Sequence, residues 1–390
     1  LSCRVVELPA ALAALGAEEP ELDEEARREG PVSPQSCMAY CYTGGTTKAS
    51  KCVCTLHAQA LWESENYLTA LGGLPRSGER VLQYSSCYWG AAVFGQLSLG
   101  LAIGACICVG GCPRGCGGAG DALRQLADDV RSFQVTLLGV VPSQLRGAWP
   151  GGPSTAPACL RTLIVWADKC PVDLARRWQT PTISMVDLLI ASEYWLSLYS
   201  DCRVWSDAGA EKHVYRPLPS LEVRFLVGDP DEGARDAEVG EVGEMYLHGA
   251  TTSPGYVTAE GHVTLEQHGA VRFIGGKAWL RTRDLLRLLP EGGLVYSGRA
   301  DSMMKHGGQW LDADALQDAA TSVPGVTQAA VVPGAGGIDA FLVLHSTVLD
   351  GSAGADGEQA GLSPEKRLRL GEGASLAPFR TLARVRRVLP

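Results

Sequence analysis

Tyr42-Thr43-Gly44-Gly45-Thr46-Thr47-Lys48-Ala49-Ser50-Lys51, running into the β-type stretch Cys52-Val53-Cys54-Thr55, decides how the rest of the chain is read. Two adjacent glycines let the backbone turn tightly and bring bare N–H groups close to an anion. Three threonine hydroxyls and an ammonium add donors on the same side. That is a chemistry for holding polyphosphate. The spacing is not the G-x-x-x-x-G-K-[ST] of the P-loop, so for the loop alone an ordinary Gly-Thr turn is the competing reading.

Bulk properties narrow the choice. A chain of 390 residues with 46% hydrophobic side chains can bury a real core and is expected to hold two or three domains. A net charge of −9 argues against a nucleic-acid partner but leaves room for a small anion held by a few local donors. Thirteen cysteines, an odd number in a chain too large to need staples, fit a reducing compartment. Leu1 to Ala17 lack the charged lead-in of a secretory signal, and a cytoplasmic location is expected. Ala91–Gly111 is apolar enough to suggest a membrane span, but its glycines and the strand-like Cys106-Ile107-Cys108-Val109 favour a buried helix followed by a buried strand. No membrane partner is expected.

Residues 1–36 read as an acidic linker or the end of a preceding region. From 37 to 219 helix and strand candidates alternate: helices at 58–71, 120–133, 143–148 and 172–179, strands at 80–85, 136–141, 162–165 and 182–189. Such alternation implies crossover units, a mainly parallel sheet and a ligand beyond the carboxyl ends of its strands. From 220 to 299 short β-runs with tight turns suggest a β-barrel-like unit. Residues 300–390 read as a small α+β unit with a helix at 313–322, strands at 326–332 and 341–344, and a Gly/Ala/Ser-rich insertion at 351–361.

Further strings fall at the loops of this layout: Ser192-Glu193; Gly243 to Gly249 ahead of Pro254-Gly255-Tyr256; Leu280-Arg281-Thr282-Arg283-Asp284-Leu285; Tyr296-Ser297-Gly298-Arg299-Ala300-Asp301; then Lys305, Gly307 and Gly308. In order and spacing the chain from about residue 36 onward resembles the adenylate-forming superfamily: adenylation domains of nonribosomal peptide synthetases, acyl-CoA synthetases and beetle luciferases. The resemblance implies that a carboxylic acid condenses with ATP and Mg²⁺ to an acyl-adenylate, and that the acyl group then passes to a phosphopantetheine thiol of a carrier-protein domain. It implies that Thr43, Gly44, Gly45, Thr46 and Thr47 wrap the β- and γ-phosphates. Lys51 closes that loop, with Thr46, Lys51 and Glu193 as the catalytic set and Glu193 as the Mg²⁺ ligand. It puts Ser192 on the α-phosphate, Asp187 and Leu189 by the adenine, Asp284 on the ribose hydroxyls with Tyr296 and Arg299 beside it, and a hinge at Asp301 that would make the last unit mobile.

The departures also carry expectations. Thr47-Lys48-Ala49-Ser50-Lys51-Cys52 stands where the family runs Thr-Gly-x-Pro-Lys-Gly, Leu189 replaces a stacking aromatic, Arg283 stands where glycine is common, and Ala167-Asp168 replaces Gly-Glu. The Leu376–Pro390 run resembles the lead-in to a Gly-Lys element, so the chain is expected to be trimmed at both ends. Tyr88, Trp89 and Gly90 are the expected substrate pocket. Ser86 to Ala92 offers no carboxylate for a substrate ammonium, which favours an acid without an α-amino group. A non-catalytic nucleotide-binding scaffold and a stand-alone acyl-CoA ligase are the alternative functions.

Several residues have plainer readings. The spacing of Cys106, Cys108, Cys112 and Cys116 suits no common zinc site, so packed thiols are expected. His57 reads as a cap or packing residue, His306 and the terminal arginines as solvated, and Tyr194-Trp195 as core.

Overall fold

The structure is a computed structural model that describes residues 32–43, 51–73, 78–87, 89–110, 119–203, 213–257, 263–264, 270–306, 309–321, 326–334, 337–344 and 384–387. Gly44 to Ser50, Tyr88, Cys112, Cys116 and the 351–361 insertion lie outside them, as do the side chains of His306 and of the arginines at 384–387.

The chain opens with the strands β1 (Cys37–Tyr42) and β2 (Cys52–Leu56), then helix α1 (His57–Ala70) and β3 (Arg80–Gln83). A helical run follows in three parts: α2 (Gly90–Ala92), a π-helical stretch (Val93–Ser98) and α3 (Leu99–Ala102). Next come β4 (Cys106–Val109), α4 (Ala119–Ser132), β5 (Leu137–Val140), α5 (Pro142–Ala148), β6 (Thr162–Val165), α6 (Val172–Trp178), β7 (Ser184–Ala191), β8 (Tyr194–Asp201) and β9 (Arg216–Pro217).

These strands form a seven-stranded sheet in the order β4-β3-β5-β6-β7-β8-β9, parallel from β4 to β7 and antiparallel beyond. Every residue of β5 and β6 is buried, as a parallel sheet covered on both faces requires. Leu138, Val140, Leu163 and Val165 face one core with Leu126 and Val130 of α4; Leu137 and Ile164 face another with Tyr67 and Ala70 of α1. Each such buried aliphatic side chain contributes about 1.5–3 kcal/mol, enough to override weak local propensities. Helix α4 brings Leu123, Leu126, Ala127 and Val130 to one side at i, i+3, i+4 and i+7, with Asp121 in its first turn and Arg131 in its last, the signs that its dipole favours.

The second half holds β10 (Glu222–Val227), β11 (Arg235–Asp236), β12 (Val242–His248), β13 (Gly255–Val257), β14 (Val263–Thr264), β15 (Val271–Ile274), β16 (Lys277–Leu288) and β17 (Leu294–Arg299). A six-stranded antiparallel sheet runs β11-β10-β12-β16-β15, with β17 also on β16, and is the β-rich unit expected after Ser220. β13 instead joins β2, giving a four-stranded sheet β1-β2-β13-β14. The last elements are a hairpin of β18 (Met303–His306) and β19 (Gln309–Asp312), helix α7 (Ala313–Thr321), and a three-stranded sheet of β20 (Val326–Gly334), β21 (Gly337–Leu344) and β22 (Arg384–Arg387). Among the described residues no helix is long and apolar enough to cross a membrane.

Helix α1 clothes β8 where no neighbouring strand pairs with Leu196. Trp62 Nε1 donates to Leu196 O at 2.8 Å, and Leu196 N donates to Glu63 Oε1 at 2.5 Å. Glu63 is fully enclosed, and burial pushes its carboxyl from 4.5 up to about 7, against the pull of the Leu196 N–H. Folded Glu63 therefore keeps a proton that unfolded glutamate releases near pH 4.5. Its contribution to stability is full below that pH, falls by up to about 1.4 kcal/mol per pH unit, and is gone above about 7. Glu63→Gln is expected to flatten the dependence of unfolding free energy on pH between 5 and 7, read from urea titrations at each pH.

Candidate active site

Ser192 and Glu193 alone connect β7 to β8, with Ala191 facing Tyr194 in antiparallel register. So short a connection fixes where both side chains leave the sheet, half-buried at the carboxyl end of β7. Ser253 N donates to Glu193 O at 2.8 Å and Trp195 N to Thr251 O at 3.0 Å, which ties the tip of this hairpin to the approach to β13.

β13 lies on β2, with Gly255 opposite Cys54 and Tyr256 opposite Val53. Tyr256 thereby joins two distant parts of the chain. Its hydroxyl donates to Glu193 Oε1 at 2.7 Å, and Lys51 Nζ sits 4.5 Å from its ring centroid. Burial and then the Glu193 charge push that hydroxyl well above the ordinary tyrosine range, so it stays a donor. Thr43 N donates to Lys51 O at 2.9 Å and Lys51 N to Thr43 Oγ1 at 3.1 Å, pinning the two ends of the glycine-threonine loop together beside Glu193.

One residue on, the Tyr194 hydroxyl donates to Asp284 Oδ2. Asp284 on β16 faces Arg299 of β17; Arg299 Nη1 lies 3.3 Å and the Tyr296 hydroxyl 3.4 Å from Asp284 Oδ1. Arg299 Nε also donates to Asp301 Oδ1 at 2.9 Å. Asp284 is only 2% exposed, and burial raises its carboxyl although Arg299 and the two tyrosines pull it down. Thr43, Lys51, Glu193, Asp284, Tyr296, Arg299 and Asp301 thus fall into two adjoining clusters, linked through the consecutive residues Glu193 and Tyr194.

Other expected site residues lie elsewhere. Asp187 turns its carboxyl into the core, where the Tyr215 hydroxyl donates to it at 2.5 Å and His213 Nδ1 lies 3.4 Å away. Burial raises Asp187 to about 7 and lowers His213 to about 4, so the imidazole is neutral at pH 7 and the carboxyl keeps its proton to far higher pH than a free aspartate does. Leu189 packs at the edge of the cluster formed by Tyr194, Met245 and Tyr256. Trp89 precedes α2 and packs against the core, and a Cβ at Gly90 would lie 2.0 Å from Trp195 Cη2. Tyr194 and Trp195 are 2% and 3% exposed, core residues as expected, yet Tyr194 also holds Asp284. Neither Tyr256 nor Tyr194 stood out as a site residue in the sequence; the Pro254-Gly255-Tyr256 string was the available signal for the first.

Among the described residues no three His, Cys, Asp or Glu side chains gather where they could share a metal ion. Glu193 is a hard carboxylate held by Tyr256, whose ring Lys51 Nζ overlies. That suits Mg²⁺, which takes one or two carboxylates and completes its shell with water and phosphate oxygens. The Asp284 contacts to Tyr296 and Arg299 are long, and Arg299 is 37% exposed, so a vicinal diol can replace them at the carboxylate at little cost. The residues present fit a magnesium nucleotide.

Two departures noted in the sequence have a backbone consequence. Ala167 and Arg283, each where the resemblance puts glycine, adopt φ of 68° and 71°. A Cβ in that left-handed region costs about 1–2 kcal/mol, partly offset by the larger unfolded-state entropy of glycine. Ala167→Gly is expected to stabilise the protein by about 0.5–1 kcal/mol, measured by urea unfolding.

The family model described as AMP-binding enzyme matches residues 2–257, and the chain belongs to that family. It is 31% identical over 328 residues to the probable non-canonical nonribosomal peptide synthetase CymA of Salinispora arenicola, covering 80% of this chain and 4% of that protein. It is 26% identical to the 3-hydroxybenzoate–CoA ligase of Aromatoleum, covering 77% of this chain and 54% of the ligase. The chain therefore spans about half of such ligases and a small fraction of the synthetases. Among solved structures, O-succinylbenzoate coenzyme A synthetase (MenE) of Bacillus subtilis in complex with AMP superposes with a TM-score of 0.67 at 18% identity, over 94% of this chain and 70% of that one. ATP-bound MatB of Rhodopseudomonas palustris gives 0.67 at 19%, over 92% and 66%.

Proposed function

We propose that the protein activates a carboxylic acid with ATP as an acyl-adenylate and passes the acyl group to the phosphopantetheine thiol of a carrier-protein domain. The observation that carries this reading is the convergence of Lys51, Tyr256 and Glu193 next to Tyr194, Asp284 and Arg299. Mg-ATP supplies the electrophilic α-phosphorus and the pyrophosphate leaving group. Thr43 to Thr47 and Lys51 neutralise the phosphate charge, Glu193 holds the cation, and Ser192 offers a hydroxyl to the α-phosphate. Tyr256 holds the Glu193 carboxylate in place, a task its raised pKa suits. Asp284 accepts the ribose hydroxyls with Arg299 and Tyr296 alongside, Leu189 stands on the adenine side, and Trp89 and Gly90 begin the acid pocket.

Asp301, exposed and paired with Arg299, serves in this reading as the hinge between the units 37–219 with 220–299 and 300–390. Relatives named as CoA ligases favour free CoA as a second acceptor reading. ATP–pyrophosphate exchange with a panel of acids tests the first half-reaction, and CoA against a carrier domain tests the second. Glu193→Gln is expected to lower exchange by about 10²–10³. Exchange with no acid alongside intact ATP binding would leave a nucleotide-binding scaffold.

A further inference from the structure

The strands on either side of the glycine-threonine loop, β1 and β2, carry Cys37, Cys41, Cys52 and Cys54, and strand alternation sorts these thiols onto two faces. Cys41 stands opposite Val53 and points into the core, where the Thr55 hydroxyl donates to its Sγ at 3.8 Å. On the other face Cys54 stands opposite Tyr40 and Cys52 opposite Tyr42. Regular alternation would send Cys37 inward with Cys41. The register instead shifts between Cys37 and Ala39, so that Cys37 pairs with Leu56, which shares a face with Cys54. The bulge thus delivers Cys37 to the Tyr40 face, diagonal to Cys54 across the strand pair. There its thiol is hydrogen-bonded to the Cys54 thiol and to the Tyr40 hydroxyl, and it donates to Ala39 O at 3.6 Å.

The two thiols differ in what can reach them. Cys37 is exposed, whereas Cys54 is 3% exposed, with Gly255 of β13 opposite it and the Ser253 hydroxyl donating to its carbonyl at 2.7 Å. Burial pushes the Cys54 thiol up to about 12, so it keeps its proton until a reactive sulfur is set against it. We propose that Cys37 and Cys54 are a reversible oxidation site for hydroperoxides, closing a disulfide across the strand pair that carries the phosphate loop. The Cys37 sulfur attacks the peroxide, the O–O bond breaks, and Cys37 becomes a sulfenic acid while the peroxide leaves as an alcohol or water. The Cys54 sulfur then attacks Cys37; the Cys54 proton and the sulfenic hydroxyl leave as water and the S–S bond forms. Two thiols lose two electrons and one peroxide gains them. Among the described residues no three such groups gather in metal-binding geometry, which favours a bond between two thiols over a shared cation. A small dithiol reverses the step, as a transient bond in a reducing compartment requires.

The test reads sulfur rather than activity, so its outcome is independent of acid activation. Full-length reduced protein is exposed to hydrogen peroxide, quenched in acid, alkylated under denaturing conditions and mapped by mass spectrometry. A cross-linked peptide joining Cys37 to Cys54 is expected, exceeding any other pairing of either residue by about tenfold or more and lost on treatment with dithiothreitol. Cys52→Ser should keep it. Cys37→Ser, at an exposed position, should abolish it and leave Cys54 open to alkylation. Cys54→Ser, or Cys54→Ala should the first fold poorly, should leave Cys37 as a sulfenic acid that dimedone traps. Cys37 joined to Cys52 or to a second copy of the chain overturns the proposal. So does peroxide that leaves Cys37 and Cys54 as thiols, or that carries Cys37 to a sulfinic acid in the wild type without forming the cross-link.

Discussion

Asp284→Asn is expected to weaken ATP binding by about 100-fold and to destabilise the fold by about 2–4 kcal/mol, because one carboxylate serves both purposes. The Tyr194 hydroxyl is buried with Asp284 as its acceptor, and Arg299 is held between Asp284 and Asp301. An amide offers one acceptor oxygen where the carboxylate offers two, so either Tyr194 loses its acceptor or Arg299 is left with Asp301 alone, and the amide N–H₂ then faces a donor. A ribose diol would meet the same deficit. Isothermal titration with ATP and urea unfolding read the two effects separately. Tyr296→Phe removes the 3.4 Å contact at the rim and is expected to cost about 0.5 kcal/mol. ATP affinity unchanged in Asp284→Asn would dissociate this carboxylate from the nucleotide and leave it a purely structural group.

The parallel half of the fold was legible because its strands are short, continuous apolar runs that only a doubly covered sheet can bury. Thr162–Val165 was read to the residue, and α4 within one residue at each end. The return strand β8 was not. Tyr-Trp-Leu-Ser-Leu-Tyr-Ser-Asp has weak alternation, and its edge is satisfied by Trp62 and Glu63 of a helix far back in the chain.

The site was legible as separate strings, Ser192-Glu193 and the run through Asp284, since charge and hydroxyl types are visible in a sequence. What joins them was not, because Tyr256 reaches Glu193 only once β13 has paired with β2 rather than with the sheet that precedes it. Likewise nothing at Ala167 or Arg283 announced a left-handed backbone except the resemblance that puts glycine there. The close packing of the Trp166 ring against Gly139 and Gly95 depends on glycines on two other elements, a relation that exists only in three dimensions.

Gly139→Ala is expected to be among the most destabilising single methyl additions at the described glycines, at about 3 kcal/mol or more. The new carbon would overlap the Trp166 ring at 1.9 Å, and neither side can yield easily. Gly139 sits in a fully buried strand paired to β6, with Ile164 opposite. The ring is held from the other side by Gly95 and Tyr67. Were the penalty only a matter of β-propensity, alanine in place of glycine would be neutral to favourable, so the sign separates the two accounts. Shortening the opposing side chain provides the decisive control. In a double-mutant cycle Trp166→Leu should recover most of the loss caused by Gly139→Ala, with a coupling of about 1–3 kcal/mol, because the leucine vacates the position of the ring. Additive penalties in urea unfolding would mean that the ring and the strand are not in contact.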